Sequence, residues 1–397
     1  MNKILRLTAL LVLTAMLLAA CGGKPAATTT AAATTAATTA ATTAAATTTA
    51  AAVTVAPEDP TDHTGWIPIN ISFATTLQDN HPCIEQLMRF KAKADERMDG
   101  LMDFTIYANG SLLTGSQMYN GVKDNVANMG YFTTSYSIGI LDMAILCDQP
   151  GFWYESGSAS ALAFYDYYRW IEEHTDEWKD VLPLTVLGLA PQAFGVKKDL
   201  KTIDDLKGLN IAVTTTYYPA CKAWGISPST PEYSDRYEAL RNGLLDGCLT
   251  TVGALGNGRY EEVTTHCYVT HLVGQANAMI FNRKTFESMP ESQQKLFRQL
   301  WYEVQVEYVN LYLENFHLGN DVRSQAYSRD IKVLDRLPED MEKQMYELVK
   351  NLPEGYAAEL EAKGKPGNEG LKFFREKLDQ YNAKFPGNMD GYNEWRK

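Results

Sequence analysis

The chain has 397 residues, of which 45% are hydrophobic and 21% are charged. This composition is ordinary for a globular protein and excludes a chain that is disordered throughout, because it supplies enough apolar mass for one or two large cores. The formal net charge of -12 argues against nucleic acid or an anionic bilayer surface as the main partner.

The N-terminal residues have the form of a secretory signal. Lys3 and Arg6 precede a largely apolar run over residues 7–20, which is shorter than the roughly 20 residues of a membrane-spanning helix but typical of a signal peptide. The stretch LAACGG at residues 18–23 resembles the lipobox of bacterial lipoproteins. This resemblance implies a signal peptide over residues 1–20 and lipidation of Cys21. An ordinary cleavage site beside an incidental cysteine is the alternative.

A segment without charge follows. Residues 25–57 carry no charged side chain, and up to residue 52 they are only Pro, Ala and Thr. Runs of β-branched Thr oppose helix formation, and the segment has no amphipathic face around which a core could form. We therefore expect residues 21–60 to be a lipid-anchored tether, open to glycosylation on Thr, that holds the folded part away from the membrane.

From about residue 65 the pattern is that of an α/β protein. Residues 69–74 alternate apolar and polar side chains as a half-covered strand does, and residues 82–97 follow with helical spacing. Further segments at residues 102–107, 115–123 and 129–133 continue a β-α-β-α-β series, which is typical of a parallel sheet. We assign residues 65–190, with a return segment at about 276–290, to a first lobe.

A second series of strands and helices occupies residues 191–275, which we assign to a second lobe. A capping signal at residues 288–291 then predicts the start of a long helix over residues 288–330. At about 1.5 Å per residue, such a helix is long enough to span two small domains. Residues 331–397 are expected to form C-terminal packing helices.

No enzyme or metal motif is present. The sequence lacks GxSxG, HExxH, GxGxxG and P-loop motifs, and no two of its six histidines have the helical spacing of zinc ligands. We predict no catalytic residue, no metal and no cofactor, and we keep a secreted hydrolase only as an alternative. Five cysteines beyond Cys21 show no CxxC spacing, and their disulfide pairing stays open: Cys83, Cys147, Cys221, Cys248 and Cys267.

Several segments, in the same order, resemble the DctP-type solute-binding proteins of tripartite ATP-independent (TRAP) transporters. They are ATTLQDNHP at residues 74–82, GSLLTG at 110–115, VKDNVANMG at 122–130, IDDLKGLNI at 203–211, YEALRNGLLDG at 237–247, and Asn282 with PESQQ at 290–294. The resemblance covers about residues 69–385. It implies an α/β fold of the periplasmic-binding-protein type, with two lobes spanned by the long helix and a small-molecule ligand in the cleft between them.

The resemblance also implies a function and partners. The protein would be an extracytoplasmic lipoprotein, anchored through Cys21 to the outer face of the bacterial cell membrane, that delivers its ligand to the membrane subunits of a TRAP permease. No covalent chemistry is implied. A ligand-sensing or surface-interaction lipoprotein with the same fold is the alternative.

Three departures from the family pattern concern the ligand. The family places an arginine after the strand segment "KI", where it clamps the ligand carboxylate, and this chain has Ala212 there. A second ligand-facing arginine of some members falls near Gln192, and the asparagine after the "DGQE" segment matches Thr250. These departures predict a cleft without a cation and a neutral or atypical ligand.

The other candidate ligand-binding residues are mostly aromatic or hydroxylated: Phe132, Thr133, Tyr136, Trp153, Thr215 and Tyr233. Such side chains suit a polyol, a sugar-like molecule or a neutral heterocycle, because they supply hydrogen bonds and stacking without charge. Trp153 has core packing as its alternative role. His81 is a candidate replacement for the lost cation, with capping of its loop as the alternative.

Overall fold

The computed structural model describes residues 62–79, 81–189, 191–317 and 333–386. The predicted signal peptide, Cys21 and the predicted tether lie outside the described residues. The strands are β1 (Ile69–Thr75), β2 (Met102–Tyr107), β3 (Met129–Thr133), β4 (Val181–Leu189), β5 (Gln192–Val196), β6 (Asn210–Ala212), β7 (Ser227–Ser229), β8 (Gly247–Thr250), β9 (His266–Thr270), β10 (Gln275–Asn282) and β11 (Val333–Arg336).

The α-helices are α1 (Pro82–Arg97), α2 (Met118–Lys123), α3 (Asp142–Leu146), α4 (Gly157–His174), α5 (Tyr218–Ala223), α6 (Arg236–Arg241), α7 (Val252–Asn257), α8 (Arg283–Glu287), α9 (Glu291–His317), α10 (Glu339–Val349), α11 (Leu352–Ala362) and α12 (Gly367–Lys384). Within the described residues, no helix combines the length and the apolar character needed to cross a membrane.

The first sheet has the strand order β2-β1-β3-β10-β4. Strand β1 pairs in parallel with β2 and β3, while β10 runs antiparallel to β3 and β4. Alternation along β1 directs Ile71 and Phe73 to one face, where they pack with side chains of α1 and α9. The opposite face is covered by α4, α11 and α12. We call this sheet and its helices the first lobe.

The second sheet has the order β11-β9-β5-β8-β6-β7. Side chains of α5 and α10 pack on one face, and those of α6 and α7 pack on the other. Gly247 begins β8 at a point where a Cβ atom would lie 2.5 Å from the carbonyl oxygen of Gly195, so only glycine permits this strand pairing. We call this sheet and its helices the second lobe. The mixed α/β class with two sheets is as predicted.

The chain passes between the lobes where β4 leads to β5, where β9 leads to β10, and where α10 leads to α11. Residues 270–276 carry the second of these crossings and are held by side chains from several elements. The Asp148 carboxylate accepts from the amide of Ala276 at 2.6 Å, and the Tyr217 hydroxyl donates to the carbonyl oxygen of Gly274 at 2.6 Å. These bonds fix where the two sheets meet.

Helix α9 is the predicted long helix, and it begins at Glu291 after the short helix α8. Its 27 residues correspond to a length of about 40 Å. Its buried side chains, including Phe297, Trp301 and Val304, pack against α1, α4 and β4 of the first lobe. The remainder of the predicted helix, residues 318–330, lies outside the described residues, so the prediction that it spans both lobes stays a prediction.

The five cysteines of the described part, from Cys83 to Cys267, are all buried, and none of them forms a disulfide there. They act as small apolar side chains in the cores of the two lobes.

The packing of α9 on the first sheet depends on one buried hydroxyl. Thr185 Oγ1 accepts from Trp301 Nε1 at 2.8 Å and from Gln86 Nε2 at 3.3 Å. We expect Thr185→Val to lower the free energy of unfolding by about 1–3 kcal/mol, because two buried donors lose their acceptor. Thr185→Ser keeps the hydroxyl and is the control. Denaturant unfolding followed by tryptophan fluorescence measures the difference, and equal stability of the two variants would contradict this account.

Candidate functional site

The candidate site lies where the two lobes face each other. Strand β3 of the first lobe ends in the 3-10 helix Thr134–Ser137, and strand β6 of the second lobe leads to the 3-10 helix Thr215–Tyr217. These two short helices lie against each other. The carboxyl ends of strands from both sheets therefore converge on one region, which is where ligands bind in many α/β proteins.

A chain of side-chain amides crosses the base of this region. Gln275 Nε2 donates to Thr133 Oγ1 at 2.7 Å and to Asn277 Oδ1 at 3.2 Å. Gln192 Nε2 donates to Gln275 Oε1 at 3.2 Å, and Asn277 Nδ2 donates to the Tyr131 hydroxyl at 3.3 Å. Gln192 is fully buried, and its Oε1 has no hydrogen-bond partner within the described part of the chain. A ligand N–H or O–H group can supply that partner.

Two tyrosine side chains, Tyr233 and Tyr136, lie in this region. Tyr233, in the 3-10 helix Tyr233–Asp235, packs against the cores of both lobes. Its ring centroid lies 6.1 Å from that of Tyr260. Tyr136 comes from the first lobe, and its ring fits beside Gly115, where a Cβ atom would lie 3.0 Å from the ring. The Tyr136 hydroxyl oxygen is buried and has no partner among the described residues.

Arg236 is a site residue that the sequence analysis did not select. It is the first residue of α6 and is 5% exposed. Its Nε donates to the carbonyl oxygen of Pro231 at 3.5 Å, and its Cζ lies 5.6 Å from the centroid of the Tyr233 ring. Within the described residues, the guanidinium forms no ion pair, and its nearest polar neighbours include Tyr136, Tyr260 and Cys248. A buried cation therefore faces neutral groups.

The guanidinium remains charged in this environment. Burial acts to lower the pKa of Arg236, the neighbouring hydroxyls and thiol act to raise it, and the net direction is upward. An arginine is protonated at every physiological pH in any case. The structure therefore has one guanidinium beside Tyr233, and the neutral ligand stays a prediction from the sequence.

Arg236 lies in the same part of the second lobe as Ala212, the position at which the family has an arginine. Ala212 on β6 is paired in register with Cys248 on β8, and both belong to the core cluster that also contains Leu240. Arg236 lies beside Cys248. Arg236 and Leu240 are four residues apart, so they share one face of α6. A charged residue on the buried face of an amphipathic helix is the signal that could have identified Arg236.

His81 does not supply a cation. Its Nδ1 accepts from the amide of Cys83 at 3.2 Å, so the side chain caps α1. Burial lowers its pKa from 6.5 to about 4, which leaves the imidazole neutral near pH 7. The capping role that the sequence left open is the one present in the structure.

The other residues that the sequence predicts as ligand-binding lie in different surroundings. Thr215 is exposed at the start of its 3-10 helix, and Thr250 is buried at the end of β8, beside Ala193 of β5. Phe132 is 2% exposed and belongs to the first-lobe core. The Trp153 ring stacks on His271 at a centroid distance of 5.0 Å. Phe132 and Trp153 are therefore held by packing contacts, and Ala212 belongs to the second-lobe core. Thr133, Tyr136, Gln192 and Tyr233 belong to the interlobe region.

Among the described residues, no group of three or more His, Cys, Asp or Glu side chains is arranged to hold a metal ion. The groups that the site offers to a ligand are one buried guanidinium, a buried tyrosine hydroxyl, an amide oxygen and several aromatic faces. This combination can bind a small molecule that carries one negative charge and an apolar body.

The profile of the bacterial extracellular solute-binding proteins, family 7, also called DctP, matches residues 73–359. The chain belongs to this family. A solute-binding protein of Sulfitobacter sp. is 24% identical over 300 residues, which cover 73% of this chain and 87% of that relative. Membership makes the DctP protein an extracytoplasmic receptor for a solute, in a family of receptors and not of enzymes.

Solved structures share the fold of the DctP protein. A solute receptor of Bordetella pertussis that binds pyroglutamic acid matches with a TM-score of 0.67 and 16% identity, over 78% of this chain and 100% of that chain. A TRAP solute-binding protein of Rhodoferax ferrireducens in complex with copurified benzoate matches with a TM-score of 0.65 and 16% identity, over 79% of this chain and 99% of that chain. The two-lobe α/β fold is thus confirmed.

The neutral, half-buried His81 generates a prediction about how stability depends on pH. Between pH 7 and pH 5 the unfolded chain takes up a proton on this histidine, whereas the folded protein, with a pKa of about 4, does not. Stability is therefore lost as the pH falls through this window. We expect wild type to lose about 1–2 kcal/mol more than His81→Asn between pH 7 and pH 5, since asparagine caps the helix without titrating.

Chemical denaturation at the two pH values measures this difference. His81→Ala removes the cap as well as the titrating group, so it should be the less stable variant at pH 7 but should show the same reduced pH dependence as His81→Asn. A pH dependence of His81→Asn equal to that of wild type would mean that the imidazole can be protonated in the folded protein.

Proposed function

We propose that this DctP protein is a lipid-anchored receptor that captures one small organic molecule per chain between its lobes and delivers it to the membrane subunits of a TRAP permease. The observation that carries the proposal is a set of polar groups with open hydrogen-bonding capacity at the interlobe region. Among the described residues, the Tyr136 hydroxyl and Gln192 Oε1 are buried without a partner, and the Arg236 guanidinium forms one hydrogen bond, from Nε to the Pro231 carbonyl oxygen. Buried polar groups left unpaired are costly, so a ligand that pairs them gains binding energy.

Closure of the two lobes on the ligand would allow the permease to distinguish the loaded receptor from the empty one. Tyr233 of the second lobe packs against the first-lobe core as well as its own. A ligand that joins groups of both lobes favours the closed arrangement over an open one. Hinge closure of this kind changes the outer surface that a membrane partner contacts, so loading can be signalled without any covalent step.

Anchoring of this receptor rests on the sequence. The lipobox-like LAACGG stretch places Cys21 at the new N-terminus after signal cleavage, and the uncharged Ala/Thr segment follows it directly. A lipid on Cys21 keeps the receptor at the outer face of the membrane, while the tether gives the lobes a reach on the order of 30 Å. The tethered lobes can then diffuse within that distance of the anchor and contact a permease in the same membrane.

The receptor role is tested by thermal denaturation of the chain carrying Cys21→Ala, exported and purified from the soluble fraction. The panel contains benzoate, mandelate and pyroglutamate, the carboxamide of each, and sets of polyols, sugars and neutral heterocycles. We expect at least one compound to stabilise the protein by about 2.7 kcal/mol at 100 times its Kd, seen as a rise in Tm. Tm values unchanged by every compound would count against the receptor role.

Anchoring is tested by fatty-acid labelling and fractionation of cells that express the full chain. Cys21→Ala should abolish incorporation of labelled fatty acid and move the protein from the membrane pellet to the soluble fraction, because the modified sulfur is removed. Gly22→Ala keeps the cysteine and is the control. Retention of Cys21→Ala in the membrane pellet would show that another segment holds the protein there.

A further inference from the structure

Resting on the proposed receptor function, we infer that Arg236, at the start of α6, binds the carboxylate of a small monocarboxylic acid in place of the arginine that is absent at position 212. This inference replaces the neutral ligand expected from Ala212 alone. It names a specificity-determining residue at a position that the sequence comparison did not indicate.

The first step concerns charge. Arg236 is 5% exposed, and within the described residues its only hydrogen bond joins Nε to the Pro231 carbonyl oxygen at 3.5 Å. A guanidinium has five N–H donors, so most of its hydrogen-bonding capacity is unused. A buried charge is normally paired with an opposite one, because its loss of hydration is otherwise uncompensated. No carboxylate of the described residues pairs with Arg236, and we assign the role of its partner to a bound anion.

The second step concerns geometry. The Tyr136 hydroxyl belongs to the opposite lobe, is buried without a partner, and is among the groups that interact electrostatically with Arg236. A carboxylate between them accepts from the guanidinium on one side and from the hydroxyl on the other. Charge-assisted bonds of this kind are the stronger class of hydrogen bond. The ligand thereby joins the two lobes through its charged end.

The third step concerns the ligand class. One guanidinium neutralises one negative charge, so a monocarboxylate fits better than a dicarboxylate. The Cζ atom of Arg236 lies 5.6 Å from the centroid of the Tyr233 ring, and the Tyr136 and Tyr260 hydroxyls are near enough to act on the charge. Aromatic faces favour a planar or cyclic apolar body. The matching ligand is therefore a small cyclic or aromatic monocarboxylic acid.

The fourth step concerns Ala212. Arg236 lies beside Cys248, whose register partner on the neighbouring strand is Ala212. A second arginine at position 212 would place two cations near Cys248, which like-charge repulsion opposes. The small side chain at 212 and the cation at 236 therefore form a compatible pair, and exchanging them should preserve one cation in the site.

The test measures the Kd of the most strongly stabilising carboxylate by calorimetry, using the soluble chain with Cys21→Ala. Arg236→Met should weaken binding at least about 100-fold and Tyr136→Phe about 10-fold, since they remove a charged and a neutral donor, respectively. Arg241→Met is the matched control: it lies on the same helix, but its side chain is 57% exposed and pairs with Glu238. Its affinity should stay within about twofold of wild type.

Two further measurements separate binding from a structural role. Without ligand, Arg236→Met should melt within about 2 °C of the parent, because among the described residues the guanidinium forms one long hydrogen bond and no ion pair. A fall in Tm of more than about 5 °C would show that the guanidinium holds the fold together, and would overturn the inference. The double variant Ala212→Arg with Arg236→Met should recover at least about 10-fold of the lost affinity, since it returns a cation to the same cluster.

The carboxamides distinguish this inference from the receptor role. Carboxamides that bind as tightly as their carboxylates would leave the receptor role standing and overturn the assignment of Arg236. If no compound of the panel raised the Tm of the wild-type protein, the receptor role would lose support, and the inference would fail with it. A preference for carboxylates that disappears in Arg236→Met supports both.

Discussion

The organisation of the whole molecule depends on how residues 270–276 pass from one sheet to the other. The backbone there leaves β9 of the second sheet and enters β10 of the first, so its polar groups cannot all pair within a sheet. They bond to side chains instead: the Glu342 carboxylate accepts from the amide of His271 at 2.7 Å, and Asp148 accepts from the amide of Ala276. A Cβ atom at Gly274 would lie 2.8 Å from the Tyr154 ring, so glycine is required.

The buried carboxyl groups at this crossing, Asp148 and Glu342, differ from Arg236 in their partners. Burial raises the pKa of Asp148, but its carboxylate accepts from a backbone amide and from the Thr134 hydroxyl. Glu342 is held by the hydroxyl of Thr270 and the amide of His271. At the crossing, then, the chain provides partners for its own buried charges. Among the residues that the structure describes, the Arg236 guanidinium has no carboxylate partner, and that contrast favours a ligand-binding role over a structural one.

The amino-acid pattern predicted more of the fold than of the site. Alternation in β1 and helical spacing in α1 reflect contacts that each element makes with one apolar face, so local sequence carries them. Strand β4 (Val181–Leu189) was not predicted, because Pro183 and Gly188 interrupt its apolar run and neither residue favours a strand. Gly188 is needed there because a Cβ atom would lie 2.5 Å from the Phe164 ring, a contact far away in sequence.

The site was harder to predict because its chemistry depends on where a charged side chain lies in space. Side chains from different helices or strands can place a charge at the same location. Ala212 and Gln192 leave both positions without a cation, but the step from these missing arginines to a neutral cleft assumed that no other element could place a guanidinium there. Arg236, at the start of α6, lies near Cys248 and Tyr260 of the core cluster that contains Ala212, and the Tyr136 hydroxyl that acts on its charge comes from the other lobe. Neither relation is local in sequence. Loss of a motif residue therefore argues for changed specificity only after the surrounding volume has been searched for a charge that replaces it.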